Sequence, residues 1–449
     1  MKKVITYGTY DLLHKGHINL LRRAKELGDY LIVGVTTDNY DKERGKLNVH
    51  NNTLERIDDV RKTGLADEII IEEYEGQKID DIQKYGVDIF AIGSDWRGKF
   101  DYLKEYCEVI YLERTKGISS TQLRGETKKI ISIGVIGNGP NADNFIPESK
   151  YVSGVNVNGV FNTNLKIAKE FCDKNELSFH TNNFKEFISK VDAVYITSPD
   201  ITHNNYIREA LEGGKHVLCD NPIVLKVEDA KQLYNIADSN KLVLMEAMKT
   251  AYAPAFNQLI KVIKGGRIGT VRDVDVSFTK YTSKESSSDL TEDQPISYIS
   301  DMISYPLLPI IKLFGNDYLD VHFYTWNKSK VDIFTRGIIY YKNAVASFKV
   351  GLGVKSEGDL IITGTKGYAY VPAPWWRTEY FELRYGELNS THKYFLKFEG
   401  EGLRYEINEF LLMINDPDRN FMKINREESV TITEIIEKYN SGQNVHSIE

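Results

Sequence analysis

The stretch GTYDLLHKGH, residues 8–17, decides the fold of the first quarter of this chain. A short apolar run before it predicts a buried strand, and residues 18–27 carry apolar side chains at helical spacing. His14 and His17 therefore stand where a strand turns into a helix. Gly16 lets a large anion approach the backbone, and the free N–H groups of a helix start favour phosphate. Two imidazoles there can donate hydrogen bonds to a phosphoryl group. The alternative is that both histidines are ordinary turn residues.

Composition and charge indicate a globular protein of several domains. A length of 449 residues suggests two to four domains, and the chain is 41% apolar and 27% charged. The net charge of −7 argues against general nucleic-acid binding. Three scattered cysteines show no metal-ligand spacing and indicate a reducing compartment. With neither a secretory leader nor an apolar run long enough to span a bilayer, we expect a cytoplasmic protein that does not bind membranes.

The first module alternates strands with helical or polar stretches. Continuous apolar runs near residues 29–38, 68–71, 88–92 and 108–112 predict a parallel sheet covered on both faces. This pattern predicts a doubly wound α/β domain, in which ligands bind at the carboxyl ends of the strands. Polar clusters follow three of those ends. The last of them, RTKGISST at residues 114–121, joins cations to a hydroxyl-rich helix start and predicts a second phosphate site.

These motifs resemble the glycerol-3-phosphate cytidylyltransferase family over the whole first module. The matching segments are GTYDLLHKGHINLLRRAKELGDYLIVGVTTD, GSDWRGKFDYLKEYCEVIYLERT and RTKGISST. The resemblance implies that the two histidines contact the phosphates of CTP and stabilise the transition state, while residues 114–121 hold its β- and γ-phosphates. A polyol phosphate oxygen would attack the α-phosphorus with the help of Mg²⁺, and pyrophosphate would leave without a protein nucleophile.

The resemblance also assigns roles to individual residues. It places Asp11, Lys46 and Arg56 near the acceptor or the triphosphate, and Asp95 and Trp96 in the cytidine and acceptor pocket. A solvated charged face is the alternative for Lys46 and Arg56, and a helix N-cap is the alternative for Asp95. The predicted catalytic residues are His14, His17, Lys46 and Arg114. The predicted nucleotide-binding residues are Gly8, Thr9, Tyr10, Asp11, Gly16, Arg56, Asp95, Trp96, Thr115, Gly117, Ile118, Ser119, Ser120 and Thr121; no metal-ligating residue is predicted.

A second module begins near residue 130 with the apolar strand IISIGVIG and no long linker before it. The strand runs into G-N-G-P-N-A at residues 137–142, a G-x-G-x-x-A turn at the start of a helix. Such a turn places a pyrophosphate against glycine backbone, as in dinucleotide folds, although a plain strand-to-helix turn has the same pattern. The following alternation of strands and helices favours a Rossmann domain.

From about residue 130 onward the chain resembles the Gfo/Idh/MocA oxidoreductase family. The matching segments are IGVIGNGPNA, YITSPDITHNNYIREALEGGKHVLCDNP, KGGRIGTVRDV and SDMISYPLLPIIKLFG. The resemblance implies a Rossmann domain followed by an α/β domain with a large, mainly antiparallel sheet, and we expect a homodimer or a higher homo-oligomer. Alternating runs near residues 331–341, 345–352, 359–363 and 368–371 fit that sheet. The predicted domains are residues 1–127, 128–250 and 251–449.

Two positions depart from this family's pattern. Asp220-Asn221-Pro222 stands where the family usually has Glu-Lys-Pro, and an asparagine can hydrogen-bond a substrate but cannot supply a positive charge. Asn162 follows the second Rossmann strand, where an acid would hold the ribose 2′-hydroxyl of NAD. The missing acid removes a repulsion against a 2′-phosphate, so the sequence favours NADP over NAD.

A possible proton donor remains in the second module. Asp301 and Tyr305 lie four residues apart on a predicted helix, which matches the family's D-x-x-x-H/Y pattern. Tyr305 could protonate an alkoxide with Asp301 orienting it, and both are predicted as catalytic; the alternative is a core aromatic and a helix-end charge. Trp375 and Trp376 are expected to cap the core. The predicted cofactor-binding residues are Gly137, Asn138, Gly139, Asn141, Ala142, Asn162, Thr197, Ser198, Pro199, His203, Asp220, Asn221 and Pro222.

Together the two modules predict a bifunctional enzyme that acts on CTP, a polyol phosphate and a sugar phosphate. One half would reduce a sugar phosphate, or a CDP-linked carbonyl, with NADP or NAD, and the other would form a CDP-alditol for surface polymers. The alternative is a cytidylyltransferase whose second half senses a ligand or forms a dimer without catalysis.

Overall fold

The computed structural model describes residues 1–113, 130–280, 298–328, 331–352, 354–386, 391–416 and 423–448. The chain divides into two compact units, Met1–Val194 and Tyr195–Glu449. Within the described ranges, no helix is long and apolar enough to cross a membrane. The phosphate site predicted at residues 114–121 lies outside these ranges, and the three predicted domain boundaries stay predictions.

A five-stranded parallel sheet forms the first part of the chain, in the order β3-β2-β1-β4-β5. Short 3₁₀ turns at Ser94–Trp96 and Asp101–Glu105 lie between β4 and β5. This arrangement confirms the predicted doubly wound fold. Its elements are β1 (Lys3–Gly8), α1 (Lys15–Lys25), β2 (Tyr30–Thr36), α2 (Asp38–Glu43), α3 (Thr53–Lys62), β3 (Glu68–Glu72), α4 (Gln77–Tyr85), β4 (Ile89–Gly93) and β5 (Glu108–Leu112).

Successive strand residues bury their side chains on opposite faces of this sheet. Val4 of β1 packs with Leu21 of α1, while its neighbour Ile5 packs with Phe90 and Ile82 on the other face. Both faces are covered, which explains the continuous apolar runs in the sequence. Because the strand order reverses at β1, the carboxyl ends of β1 and β4 lie side by side, and this is where such sheets bind ligands.

The second sheet has six strands in the order β11-β10-β9-β6-β7-β8, which is the strand order of dinucleotide-binding folds. A 3₁₀ turn at Asp200–Thr202 follows β9. The elements are β6 (Ile131–Ile136), α5 (Pro140–Ser149), β7 (Val155–Phe161), α6 (Leu165–Lys174), β8 (Phe179–Thr181), α7 (Phe184–Ser189), β9 (Ala193–Ile196), α8 (His203–Glu212), β10 (His216–Asp220), α9 (Val227–Ser239) and β11 (Leu244–Ala247).

The third sheet has nine strands in the order β19-β18-β17-β16-β12-β15-β14-β13-β20. The pairs β12–β15 and β13–β20 are parallel and the others are antiparallel, as expected for a mainly antiparallel sheet. The elements are α10 (Lys249–Tyr252), α11 (Pro254–Lys264), β12 (Val271–Thr279), α12 (Tyr298–Phe314), β13 (Asp320–Lys328), β14 (Val331–Tyr341), β15 (Ala344–Gly351), β16 (Leu360–Gly364), β17 (Gly367–Val371), β18 (Tyr380–Tyr385), β19 (Thr391–Phe395), α13 (Leu403–Asn415), α14 (Arg426–Asn440) and β20 (Val445–Ser447).

Trp375 fills the core of this third part, as the sequence predicts. Its side chain is fully buried, and its indole N–H donates to the carbonyl oxygen of Ser277 at 2.9 Å. Trp376 packs edge-on against Phe278, with ring centroids 4.7 Å apart. The predicted helix around Asp301 and Tyr305 is confirmed as α12.

Candidate active sites

His14 caps the N-terminus of α1 with its own ring. Its Nδ1 accepts hydrogen bonds from the backbone N–H groups of Gly16, at 3.1 Å, and His17, at 3.4 Å. Because Nδ1 accepts, a neutral His14 ring carries its proton on Nε2, where it can donate to a ligand. A Cβ atom at position 16 would lie 2.9 Å from Cε1 of His14, so any side chain there would displace the ring. The turn therefore forms both a helix cap and a donor site.

His17 stacks on His14 and lies in a desolvated position. The ring centroids are 3.9 Å apart and the planes are inclined by 17°. Nδ1 of His17 is buried and has no hydrogen-bond partner in the described ranges. Burial, and then the positive charges of His14 and Lys46, hold the pKa of His17 well below its usual value. The ring is thus neutral at neutral pH, and it keeps one N–H donor without repelling His14.

Tyr10 closes the other side of His17. The two rings meet edge to face with centroids 5.6 Å apart, and Tyr10 is buried. Gly8 faces the Tyr10 ring, where a Cβ atom would come within 3.0 Å. Both residues therefore shape the wall of the histidine turn, and their contact with a nucleotide stays a prediction.

Asp11 anchors the loop before α3. Its buried carboxylate accepts hydrogen bonds from the backbone N–H groups of Asn51, at 2.8 Å, and His50, at 3.0 Å, and lies 3.4 Å from Nδ1 of His50. Burial raises the pKa of Asp11, but these hydrogen bonds and the His50 charge outweigh it and lower the pKa to about 2. The observed partners belong to the protein, and the predicted role of Asp11 near the ligand stays a prediction.

Arg56 is fully buried and joins the ends of two strands. Its guanidinium donates to the carbonyl oxygens of Thr9, at 2.8 Å, and Thr36, at 2.9 Å. It also donates to Asp38 at 2.7 Å and lies 3.2 Å from Asp41. The alternative of a solvated charged face is therefore wrong for Arg56. Its predicted contact with a nucleotide stays a prediction, because the observed bonds all serve the protein.

Thr9 shares a small polar network with Arg44. The Arg44 guanidinium donates to the Thr9 hydroxyl and to Asp41, each at 2.6 Å. Thr9 in turn donates to Asp41 at 3.2 Å. The network holds the loop after β1 against α2, next to the histidine turn.

Lys46 lies on the loop between α2 and α3, and Asp95 lies on the segment that follows β4. Lys46 is half-buried, and its ammonium donates to the backbone carbonyl oxygen of Lys150. Asp95 lies inside the 3₁₀ turn, whose N-cap is Gly93, so the N-cap alternative for Asp95 is wrong. Trp96 of the same turn packs edge-on against Tyr151, with centroids 6.0 Å apart.

Sequence reasoning missed a buried cation, Lys78 of α4. Its ammonium pairs with Glu72 at the carboxyl end of β3 and lies 4.7 Å from the centroid of the Tyr7 ring. Burial lowers the pKa of Lys78, and the Glu72 charge opposes that shift. A lysine within a predicted helix is normally expected to be exposed to solvent. Its position on the helix that follows β3 is the one feature of the sequence that could have indicated a place near the site.

The turn at residues 137–142 joins β6 to α5 through two glycines, and its contact with a dinucleotide stays a prediction. Gly137 is buried with φ of +111°, which favours glycine. Gly139 caps α5, and a Cβ atom there would meet no neighbour within 4 Å, so a ligand can approach the helix start. Asn162 donates from Nδ2 to Oδ1 of Asn138 at 2.9 Å, which links the turn to the end of β7 by neutral amides. Of the remaining turn residues, Asn141 is exposed and Ala142 is buried.

His203 joins the segments that follow β9 and β10. It is fully buried, with Nε2 2.8 Å from the carbonyl oxygen of Ser198 and Nδ1 3.0 Å from that of Pro222. Asp220 accepts a hydrogen bond from the hydroxyl of Tyr195 at 2.6 Å. Both ring nitrogens of His203 thus face backbone oxygens, and its contact with a cofactor stays a prediction. The flanking residues of the first segment are Thr197, which is half-buried, and Pro199, which is exposed.

Asn221 is hydrogen-bonded to α12, the helix that carries the predicted proton donor. Its Nδ2 donates to the hydroxyl of Ser304 at 2.6 Å, and Tyr305 is the next residue of α12. The Tyr305 ring is half-buried and stacks on Phe278, with centroids 4.5 Å apart and planes inclined by 12°. Asp301 lies one turn earlier on α12; its side chain lies outside what the structure describes. The structure therefore links the Asn221 segment to α12, and a shared site for Asn221 and Tyr305 stays a prediction.

A cation missed by sequence reasoning lies against the same aromatic ring. The ammonium of Lys280, which follows β12, is 5.4 Å from the centroid of Phe278. Although Lys280 as a whole is exposed, desolvation of its ammonium lowers its pKa, and the positive charge of Lys249 adds to this effect. Lys280 is thus a cation beside the ring on which Tyr305 stacks, and no motif marks it in the sequence.

The part of the chain that the structure describes holds no group of three or more His, Cys, Asp or Glu side chains able to bind a metal. Magnesium is often held by substrate phosphates with one or two carboxylates rather than by a protein cage. Mg²⁺ as a cofactor that arrives with the triphosphate stays a prediction.

The chain combines two classes of enzyme, a nucleotidyltransferase and an oxidoreductase with an NAD-binding Rossmann fold. Residues 5–126 match the cytidylyltransferase-like family. The glycerol-3-phosphate cytidylyltransferase of Bacillus spizizenii is 57% identical over 129 residues, which cover 28% of this chain and 95% of that protein. The chain belongs to the cytidylyltransferase-like family, and its first part is a cytidylyltransferase domain.

The second part is an oxidoreductase domain of the Gfo/Idh/MocA family. Residues 131–248 match the oxidoreductase family with an NAD-binding Rossmann fold. The NADP⁺-dependent scyllo-inositol 2-dehydrogenase IolU of Bacillus subtilis is 30% identical over 195 residues, or 41% of this chain and 59% of that protein. KijD10, a 3-ketoreductase from Actinomadura kijaniata solved with NADP and TDP-benzene, superposes with a TM-score of 0.61 at 18% identity, covering 71% of this chain and 99% of that one. The fusion of the two domains predicted from the sequence is confirmed.

Proposed function

We propose that this enzyme makes a CDP-alditol in two steps. Its second part reduces a sugar phosphate, or a CDP-linked carbonyl, with NADPH or NADH, and its first part transfers CMP from CTP to a polyol phosphate. The stacked pair of His14 and His17 at the carboxyl end of β1 carries the proposal, since it presents ring N–H donors to a phosphate at a helix start. Reduction of a sugar phosphate yields the kind of acceptor that a polyol-phosphate cytidylyltransferase uses.

For cytidylyl transfer, the chain binds and orients the reactants. Nε2–H of His14 and a ring N–H of His17 donate to phosphate oxygens as negative charge builds on them. Lys46 adds a positive charge from the loop between α2 and α3, and residues 114–121 are proposed to hold the β- and γ-phosphates. Bound Mg²⁺ would neutralise charge on the triphosphate. Pyrophosphate leaves as the acceptor oxygen bonds to the α-phosphorus.

For reduction, the turn at residues 137–142 binds the dinucleotide phosphates, and the cofactor supplies a hydride. Because a neutral amide, Asn162, stands at the end of β7, we favour NADPH over NADH. Asn221 orients the substrate carbonyl, and the Tyr305 hydroxyl gives a proton to the alkoxide oxygen. Lys280 supplies the positive charge that Asn221 cannot.

Support for a polyol product comes from both kinds of relative. One is a glycerol-3-phosphate cytidylyltransferase and the other is a dehydrogenase of the polyol scyllo-inositol. CDP-alditols are donors for teichoic-acid-like and capsular polymers, so we propose a role in the synthesis of a surface polymer.

We also propose that the chain forms a homodimer or a higher homo-oligomer through its third sheet. Large side chains on strands β13 and β14 are exposed there, among them Trp326 at 42% and Tyr340 at 41%. Exposed aromatic patches of this kind are typical of protein–protein contacts. Light scattering of the purified chain tests this; a monomer at micromolar concentration would contradict it.

Mass spectrometry of the products tests the proposed reactions. The full chain is incubated with CTP, Mg²⁺, NADPH or NADH, and a panel of ketose and aldose phosphates and their CDP derivatives. We expect a CDP-alditol, with pyrophosphate release and nucleotide oxidation. His17→Ala should abolish pyrophosphate release and leave NADPH oxidation intact. If neither nucleotide is oxidised with any substrate, and calorimetry shows no binding of either, the second part is a non-catalytic domain.

A further inference from the structure

Residues 150–153, which follow α5 in the oxidoreductase part, form a backbone pairing with the loop between α2 and α3. The N–H of Leu47 donates to the carbonyl oxygen of Tyr151 at 2.7 Å, and the N–H of Ser153 donates to that of Leu47 at 3.0 Å. Leu47 and Val152 thereby form a parallel β-bridge. Nδ2 of Asn48 adds a hydrogen bond to the carbonyl oxygen of Ser153 at 2.9 Å. This loop therefore has its conformation fixed by a segment outside the cytidylyltransferase match.

The same segment reaches the loop after β4. Nζ of Lys150 donates to the carbonyl oxygen of Asp95 at 3.2 Å and lies 3.9 Å from its carboxylate. The Tyr151 ring packs edge-on against Trp96, and its hydroxyl accepts a hydrogen bond from Lys99 at 2.7 Å. Two neighbouring residues thus hold the turn that carries Asp95 and Trp96.

Lys46 itself is part of this contact, since its ammonium donates to the carbonyl oxygen of Lys150. We propose that residues 150–153 are a positioning segment of the cytidylyl-transfer site. The inference rests on the proposed function, and on the predictions that Lys46 lies near the acceptor or the triphosphate and that Asp95 and Trp96 line the cytidine and acceptor pocket. The family match ends at residue 126, and the Bacillus spizizenii relative is covered over 95% of its length by the first domain alone, so the segment is supplied by the fusion.

Positioning of this kind acts on binding. A loop that is already ordered does not lose conformational freedom when the ligand arrives, so affinity rises while the chemical step is unchanged. Weakening the segment should therefore raise KM and the dissociation constant of CTP more than it lowers kcat.

The experiment compares three variants of the full chain, Tyr151→Ala, Tyr151→Phe and Asn48→Gly. Tyr151→Ala removes the ring from Trp96, while Tyr151→Phe keeps the ring and loses only the Lys99 contact. Asn48→Gly removes the bond to Ser153, and glycine tolerates the φ of +55° at this position. Calorimetry with CTP gives the dissociation constant, and pyrophosphate release with the polyol phosphate found by product analysis gives KM and kcat. Tyr106→Ala, at a tyrosine that is 41% exposed, is the control.

We expect Tyr151→Ala and Asn48→Gly to weaken CTP binding and raise KM by about fivefold, with kcat within twofold of the wild type. Tyr151→Phe should keep most of the wild-type affinity for CTP. Tyr106→Ala should leave CTP binding, KM and kcat unchanged. Unchanged CTP binding in both Tyr151→Ala and Asn48→Gly would overturn the inference. A lower kcat and melting temperature with an unchanged dissociation constant for CTP would overturn it too. A wild type that binds CTP but transfers no CMP would contradict the proposed function, and the binding comparison would still decide the role of the segment.

Discussion

The rings of His14 and His17 stack with their centroids 3.9 Å apart, and a Cβ atom at Gly16 would come within 3.0 Å of the His14 ring. Gly16 leaves the space that the His14 ring occupies while Nδ1 caps α1. The capping bond fixes the tautomer of His14, and the stacking fixes His17. One glycine therefore controls the geometry of two donors.

Gly16→Ala should consequently damage catalysis without unfolding the domain. The new Cβ atom, 2.9 Å from Cε1 of His14, pushes the ring away from the helix start. A displacement of about 1 Å can cost about 100-fold in rate, and we expect a loss of that size in kcat for pyrophosphate release. Gly386→Ala is the control, since a Cβ atom there meets no neighbour within 4 Å. Wild-type kcat in Gly16→Ala would show that the ring position does not matter.

Arg56 should be essential for the stability of the first domain. Replacing it with Met leaves Asp38 and Asp41 without their buried cation and frees the carbonyl oxygens at the ends of β1 and β2. Breaking a buried pair of this kind costs about 3–5 kcal/mol. Calorimetry should show the first domain melting at a lower temperature. Arg61→Met, at an arginine on the same helix whose side chain is 65% exposed, should change stability by less than about 1 kcal/mol.

The sequence predicted the sheets but not the burial of Arg56. Continuous apolar runs and turn motifs are local signals, and they placed both parallel sheets and α12 correctly. The burial of Arg56 depends on acceptors from Thr9 to Asp41, which meet only in three dimensions. Lys78 and Lys280 were missed for the same reason. The contact of Lys46 with Lys150 joins residues 104 positions apart, which no local pattern encodes.

The stability supplied by Asp11 should depend on pH. Its folded pKa, about 2, lies below the ordinary value of 3.8, so the carboxylate stabilises the fold fully above pH 3.8. That contribution, about 2 kcal/mol, is lost as the pH falls through about 2. Asp11→Asn should therefore lower the free energy of unfolding at pH 7 and cost progressively less as the pH falls from 4 to 2, as measured by urea unfolding. Asp58→Asn, at an aspartate whose side chain is 58% exposed, should show no such trend.

Tyr305→Phe distinguishes the role of the Tyr305 hydroxyl from that of its ring. Phenylalanine keeps the stack on Phe278 and removes only the group proposed to protonate the alkoxide. Loss of a general acid typically costs 100-fold or more, so NADPH oxidation should slow by about 100-fold. Pyrophosphate release from CTP should be unchanged, which serves as the internal control. Equal rates of reduction in the variant and the wild type would exclude the tyrosine as the proton donor.

Lys280 gives the reduction a pH dependence whose direction can be derived. Because desolvation and Lys249 lower the pKa of Lys280, its ammonium loses its proton at a lower pH than an ordinary lysine. If the charge stabilises the developing alkoxide, kcat/KM for reduction falls as the pH rises through that lowered pKa. Lys280→Met should lose about 100-fold in kcat and the alkaline fall with it, while Lys280→Arg stays charged and should shift that fall to higher pH. If kcat/KM falls at the same alkaline pH in the wild type, Lys280→Met and Lys280→Arg, then Lys280 does not replace the family lysine for which Asn221 stands.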